Sequence, residues 1–529
     1  MVDMPRSTLR LRIAAVLTVA VFVGGSLLFA ATPMDDPFIY ARYARNLLLD
    51  HDLVFNHGGP RIEGVSSLLW TLVYAAGEAL GLPPLSLPRG LGIVLGGILV
   101  ASVARQVLRR APGVPAWVAL VFLGASVDLA YYASCGMDHI FWALTAWLFL
   151  TWVGEAKAIT RKHYLIAALG FFVRPEGFLL FVPALVRQLV DERRGASAPD
   201  AARRAAVTAA PGVALHAAFV AARWALFGRL LPNAAAAKHL GGSLFARLFD
   251  GLLYLGTGIE LYLLPVAVAV AVGAFVAPSR DEEELGVPAV ALVLAALGFA
   301  VLGGGDDTSA FGETRLFVPI IAPLTLLFAF GLRRVAGQPA AALRAGVLAI
   351  ALLSVRLPRA LLLLKRSAGA NSLSTPRQIL GRWVDGFRAE APLQLSTYLR
   401  RATPPGALIA VPWAGRVPYE TDLPTLDLLG LNDPHIALVP PPERGIDVRY
   451  DAAYVLAARP FYICENFRVH APLDEVARAP DSTLRELGAI KVGQISLLRQ
   501  PDLARLYEVD TEAPTPGTCL RLKAPEKTR

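Results

Sequence analysis

Asp35 and Asp36 stand side by side after an apolar run, ahead of a stretch with helical spacing, Phe38 to Leu49, that carries Tyr40, Arg42 and Tyr43. Paired carboxylates can take the proton of an attacking hydroxyl, hold a divalent cation, or cap the helix that follows. Arg174 lies inside another apolar stretch, with Glu176 close behind it. A forked guanidinium there can clamp a phosphate, or it can close on the nearby acid and hold a helix break. Lys238, after Leu231-Pro232-Asn233, and Arg315, after Asp306 and Asp307, admit the same two readings. Arg61, Glu63, Asp138, His139 and Glu313 are further polar groups at the edges of apolar runs. Burying such groups is costly unless they are paired or solvated, so their recurrence marks a site. The common motifs are absent. Gly303-Gly304-Gly305 lacks the Gly-Lys-Ser/Thr of a phosphate loop, no histidine pair has zincin spacing, and no serine sits in Gly-x-Ser-x-Gly. His139 reads as a boundary residue rather than a metal ligand.

The elements that must position these groups follow from composition. The chain has 529 residues, of which 55% are hydrophobic and 18% charged. Soluble domains carry roughly 25% charged residues, so this is an α-helical polytopic membrane protein. Its net charge of +9 sits in clusters between apolar runs: Arg105, Arg109 and Arg110; Lys157, Arg161 and Lys162; Arg193, Arg194, Arg203 and Arg204. That is the positive-inside pattern of cytoplasmic loops, not the basic, aromatic face of a nucleic-acid binder. Apolar runs lie at 13–31, 64–82, 88–108, 114–133, 137–154, 163–190, 205–227, 252–276, 287–304, 316–332 and 340–357. If each crossed once, two basic clusters would fall outside. The charges are reconciled if 64–82 lies against the outer leaflet and 163–190 is a broken hairpin turning at Arg174-Pro175-Glu176-Gly177, where the proline disfavours helix at the preceding residue. This reading has about eleven crossings, the first a retained signal anchor, with a transmembrane domain at 1–365 containing a first external loop at 32–87. Residues 366–529 then form an extracytoplasmic mixed α/β domain, with strands expected at Ala407–Val411, Phe461–Cys464 and Ile490–Leu498. Cys464 and Cys519 are available to pair there, and Trp413, Tyr419 and Tyr462 are either core or glycan-facing.

Read together, these fragments resemble a known family. Asp35-Asp36-Pro37-Phe38-Ile39-Tyr40-Ala41-Arg42-Tyr43, running on through Leu53-Val54-Phe55-Asn56 and Arg61-Ile62-Glu63-Gly64 to Leu69-Trp70-Thr71, is similar to the first external loop of bacterial GT-C glycosyltransferases related to the mycobacterial terminal arabinofuranosyltransferase. Ser134-Cys135-Gly136-Met137-Asp138, Arg174-Pro175-Glu176-Gly177, Leu231-Pro232-Asn233 with Lys238, and Gly304-Gly305-Asp306 with Arg315-Leu316-Phe317-Val318-Pro319 extend the match. In the tail it continues through Gly406 to Val411, Pro418-Tyr419 and Leu426 to His435. Three features depart from the pattern: Pro37 after the acid pair, Asp138 where a glutamate is commoner, and an acidic loop after Asp306.

The resemblance implies a transferase of the bacterial inner membrane that uses a polyprenyl-phosphate sugar, a pentofuranose such as arabinose being one option. Its acceptor would be an envelope glycan, lipid or protein. Asp35 or Asp36 would be the base, and one displacement would invert the anomeric centre. Arg174, Lys238 and Arg315 are the candidate phosphate contacts. Arg42, Glu63, Asp138, His139, Glu176, Asn233, Asp306 and Asp307 are the candidate substrate contacts. No cofactor or metal is expected to be obligatory, and a divalent cation at the paired acids stays open. A transporter or flippase for a lipid-linked saccharide is the alternative. It is disfavoured because the chain lacks similar halves and midplane charges and carries a large tail.

Overall fold

The computed structural model describes residues 6–30, 34–239, 244–258, 282–305, 315–335, 391–439, 451–465, 467–488, 492–515 and 517–524. Twelve helices occupy the first half: α1 (Arg6–Phe29), α2 (Asp36–Asp50), α3 (Leu68–Ala79), α4 (Ser86–Arg110), α5 (Val114–Gly124), α6 (Val127–Ser134), α7 (His139–Glu155), α8 (Arg161–Val173), α9 (Phe181–Glu192), α10 (Ala198–Phe227), α11 (Asn233–His239) and α12 (Leu244–Gly258). They are followed by α13 (Val287–Leu302) and α14 (Ile321–Val335). Five helical segments among the described residues are long and apolar enough to cross a membrane, and the bent pair α5–α6 makes a sixth. The chain is a helical, multi-pass membrane protein. The expected total of about eleven rests in part on runs at 252–276 and 340–357, which lie partly or wholly outside the described residues, as does the expected boundary at 365.

Ion pairs fix the directions of the helices. Arg109 at the end of α4 meets Glu155 at the end of α7 at 2.6 Å, and Arg333 of α14 donates to the Arg110 carbonyl at 2.6 Å. Arg194 reaches Glu283 ahead of α13 at 2.6 Å, and Arg204 of α10 reaches Glu192 at 3.2 Å. The basic clusters therefore gather at one end of the bundle, while the starts of α7 and of the Arg315–Val335 segment lie at the other.

The run at 163–190 is broken where Arg174-Pro175 stands. Arg174 is extended (φ −157°, ψ 157°), and Pro175–Leu180 forms a 3₁₀ turn before α9. The chain doubles back so tightly that a Cβ on Gly177 would lie 2.1 Å from the Gly170 carbonyl. Arg187 of α9 then bonds the Gly154 carbonyl at 3.2 Å, so α9 returns to the end from which α8 starts. At 13 and 12 residues, each arm is only about 20 Å long, short of the roughly 30 Å of a bilayer core. The 12 residues of α3 are likewise too few to span.

The tail contains α15 (Ala391–Ala402), α16 (Arg416–Thr421) and five short strands: β1 (Ile409–Val411), β2 (Thr425–Asp427), β3 (Tyr462–Cys464), β4 (Tyr507–Asp510) and β5 (Cys519–Leu522). The sheet order is β2-β1-β3-β5-β4, with β1 parallel to β2 and β3, and β5 antiparallel to β3 and β4. Cys464 and Cys519 oppose each other across β3 and β5 and form a disulfide. The strands expected near 407–411 and 461–464 are present. The third is not: Val492–Leu498 is helical, with Gln494 and Leu497 buried. A short apolar run does not by itself distinguish strand from helix. Tyr462 and Tyr419 are core residues, and Trp413 packs against the core. The tail is not an appendage, since Ala414, Tyr419, Leu431 and Ala437 belong to the same buried cluster as the helices.

Candidate active site

Asp35 and Asp36 are neighbours in sequence and part ways in space. Asp35 stands at the N-cap of α2 yet makes no capping bond to that helix. Its carboxylate accepts the backbone N–H groups of Gly415 and Arg416, each at 2.8 Å. Asp36, one residue on, lines a cavity of about 300 Å³ and keeps a third of its side chain exposed. Of the two acids that the sequence leaves as candidates, Asp36 faces the cavity, and Asp35 does not line it.

Arg174 is the hub of the cavity's polar wall. Its Nε donates to Glu176 at 2.5 Å and its Nη1 to Asp138 at 2.8 Å. Asp138 is fully buried and receives the Ser66 hydroxyl at 3.4 Å, and Ser66 in turn bonds Tyr40 at 2.6 Å. His139 packs against Tyr132 with ring centroids 4.6 Å apart and the rings tilted by 43°, and has its Nδ1 3.8 Å from Asp138. Arg174 is thus engaged by two acids, which is the ion-pair reading of the helix break. Arg315 enters from another direction, its Nη1 3.6 Å from Asp36. The rest of the wall is largely apolar, including Phe178 and Phe299, whose rings meet edge to face at 5.9 Å, together with Leu302, Leu316, Ala234 and Leu431.

Of the sequence-predicted site residues, Asp36, His139, Arg174, Glu176 and Arg315 line this one cavity, and Asp138 backs it. Others lie elsewhere. Arg42 is completely buried, and its guanidinium serves the carbonyls of Phe55, Pro418 and Leu423 and the Asp422 carboxylate, at 2.6 to 3.1 Å. It ties the segment after α1 to the tail and does not line the cavity. Glu63 forms a buried ion pair with Arg223 of α10 at 2.8 Å. The Asn233 amide donates to the carbonyls of Gly430, Leu431 and Asp433. Lys238 falls within α11, and nothing is described of its side chain; Asp306, Asp307 and Glu313 lie outside the described residues.

Sequence reasoning passed over Ser66, Arg223 and Leu431. Only Arg223 carries a signal, a lone arginine inside an apolar run; in the fold its guanidinium lies 4.0 Å over the Phe171 ring. Leu431 is held by a loop folded around Asp427, whose buried carboxylate accepts the N–H groups of Leu429 and Asn432 and the Asn432 amide. Burial pushes that carboxyl up to about 6, against the pull of these donors.

Asp35 and Asp36 turn to different partners, Asp35 to the Gly415 and Arg416 N–H groups and Asp36 to Arg315. Among the described residues no three His, Cys, Asp or Glu side chains gather as a metal site. A second cavity, of about 450 Å³, lies in the tail between His470–Asp474 and β4, away from these charges.

A family model described as "Domain of unknown function (DUF8728)" matches residues 382–511, within the tail. Two crystal structures of ArnT from Cupriavidus metallidurans, one bound to undecaprenyl phosphate and one in the apo state, are distantly similar, each with 15% sequence identity. Their TM-scores are 0.45 and 0.43, over 80% and 78% of this chain and 86% and 85% of theirs. The "Terminal beta-(1->2)-arabinofuranosyltransferase" of Mycobacterium tuberculosis is 28% identical over 282 residues, which are 49% of this chain and 43% of that protein. The chain thus spans less than half the length of this curated relative. Over the matched residues it is a homologue of the mycobacterial terminal arabinofuranosyltransferase, in keeping with the resemblance of its loop motifs.

Proposed function

We propose that the protein is a GT-C-type glycosyltransferase that moves one sugar, of the pentofuranose class, from a polyprenyl-phosphate donor to a hydroxyl of an envelope glycan, lipid or protein. The observation that carries this reading is the pair Asp36 and Arg315, 3.6 Å apart in a cavity that joins the polar wall around Arg174 to a largely apolar remainder. Asp36 accepts the proton of the acceptor hydroxyl as its oxygen bonds to the anomeric carbon. The bond from that carbon to the phosphate oxygen breaks, and the polyprenyl phosphate leaves with the electron pair. One such displacement inverts the anomeric centre. A base within hydrogen-bond reach contributes about 10²–10⁴-fold, and cationic donors at the leaving oxygens add to that.

Arg315 is the proposed donor to the leaving phosphate, and Lys238 is a second candidate by its place in α11. Arg174, held between Asp138 and Glu176, sets the field of the wall. As written, the step balances without a metal or cofactor. A prenyl chain would stay in the bilayer while its phosphate meets these charges at the outer face of the inner membrane, the end of the bundle away from the basic clusters.

The test is transfer in proteoliposomes supplied with a panel of polyprenyl-phosphate pentoses and hexoses. Wild type transfers at least one sugar and Asp36→Asn transfers none, while both insert and purify alike. Wild-type turnover by Asp36→Asn overturns the reading.

A further inference from the structure

The helix that carries Asp36 has two working faces. Asp36, Ile39 and Tyr40 line the cavity. Asp35, Phe38, Arg42 and Arg45 recur at intervals of three and four residues, which places them on one stripe. Every member of that stripe meets the tail. Asp35 receives the Gly415 and Arg416 N–H groups at 2.8 Å, and the Arg416 guanidinium lies 5.1 Å over the Phe38 ring. Arg42 bonds the Pro418 carbonyl at 2.6 Å and Asp422 at 2.8 Å. Arg45 bonds the Tyr419 carbonyl at 2.9 Å with its guanidinium 3.8 Å over the Tyr419 ring, and both Arg45 and Tyr419 bond Glu78 of α3. Successive helix positions point about 100° apart, so a residue seated on the tail sets the direction of its neighbour.

The seat has no slack. A Cβ on Gly415 would fall 2.0 Å from the Asp35 carbonyl oxygen. Further along the tail, after β2, Asn432 packs so closely that a Cβ on Gly64 would lie 1.8 Å from its Oδ1, and Gly64 itself lines the cavity.

We infer that Asp35 is a positioning residue: bound to the backbone N–H groups of Gly415 and Arg416, it sets the aim of Asp36, so the tail segment 414–423 is part of the catalytic machinery. Each of the two N–H groups falls to its own carboxylate oxygen, Gly415 to Oδ2 and Arg416 to Oδ1, so the carboxylate is fixed at both ends of its fork. This inference rests on Asp36 being the base.

The test compares Asp36→Asn, Asp35→Asn, Gly415→Ala and the Asp35→Asn/Gly415→Ala double variant in full-length protein, using the sugar donor that wild type accepts. Asp35→Asn turns one acceptor into a donor facing an N–H, and Gly415→Ala moves the same contact without changing charge. Misplacement by about 1 Å costs up to about 10²-fold in rate, so each single variant should lose kcat on that scale. Affinity for decaprenyl phosphate, read by tryptophan quenching, and the thermal midpoint in detergent should stay at wild-type values. The double variant should be no slower than the slower single, because both act through one contact. If Gly415→Ala does not fold, Asp35→Ser, which keeps one acceptor oxygen, reads the same split of kcat from affinity. Turnover within threefold of wild type in Asp35→Asn, or losses that multiply in the double variant, overturns the inference. Activity in Asp36→Asn removes the base reading instead.

Discussion

Arg174 offers the sharpest separation of structure from chemistry. Its guanidinium joins Asp138 and Glu176 at 2.8 and 2.5 Å, and the side chains of the three residues are 10%, 0% and 10% exposed. Arg174→Ala leaves two acids in that setting without their shared cation. Removing one partner of a buried pair costs about 3–5 kcal/mol, because the remaining charge is left uncompensated. An equilibrium constant shifts tenfold for about every 1.4 kcal/mol, so the folding equilibrium constant falls by more than about 10²-fold. The triple variant Arg174→Met/Asp138→Asn/Glu176→Gln removes all three charges together and should recover most of the stability, since neutral replacement of a buried ion network is often neutral or better. The assay is the rate of thermal inactivation in detergent, followed as loss of the monodisperse peak, for wild type, Arg174→Ala and the triple variant. Arg174→Ala should inactivate fastest, and the triple should approach wild type in lifetime. An Arg174→Ala protein with wild-type lifetime and weakened donor binding would refute this reasoning and make Arg174 a phosphate clamp.

Three further outcomes can be measured. Arg315→Ala should lower kcat/KM for the lipid donor by about 10- to 100-fold, the worth of about 1.5–3 kcal/mol for a hydrogen bond to a charged group; an unchanged donor dependence removes Arg315 from the phosphate site. Nuclear magnetic resonance of the product should show inversion at the anomeric carbon relative to the donor, and retention would require a second displacement in place of the single step. Burial holds the Asp427 carboxyl at about 6, above its ordinary 3.8. Its contribution to stability is therefore full below about pH 3.8 and lost as pH rises through about 6, by about 3 kcal/mol at most. Asp427→Asn should flatten that decline in a series of tail-proteolysis rates, and an unchanged slope assigns the pH dependence elsewhere.

That the chain is helical and crosses a membrane several times, and that its basic clusters share one end of the bundle, is legible in the sequence because a bilayer imposes both length and charge bias. Asp36, Arg174, Glu176 and Arg315 are legible for a related reason: a charge at the edge of an apolar run needs a partner or a purpose. Spacing does not reveal which one. Arg42 has the look of a ligand contact until its partners are known, and Pro418, Asp422 and Leu423 lie 376 to 381 residues away along the chain. Asp35 and Asp36 likewise differ only once Gly415 and Arg416 are folded against one of them. The strand misread at 490–498 has a local cause, since Val492–Leu498 is too short for its apolar pattern to select a period.

The charges at the cavity also constrain how a donor is held. Among the described residues the site gathers three carboxylates, Asp36, Asp138 and Glu176, against two guanidiniums, Arg174 and Arg315. A phosphate diester adds another negative charge to a set that already lacks a cation. In a largely apolar cavity like charges are expensive, so a donor needs either a further cation or a proton on one acid. Lys238, four residues after the cavity-lining Ala234 in α11, is the residue we propose for that cation. Lys238→Gln should then weaken binding of decaprenyl phosphate. Equal affinity for both proteins, measured by quenching in detergent at one pH, would instead remove Lys238 from the phosphate site.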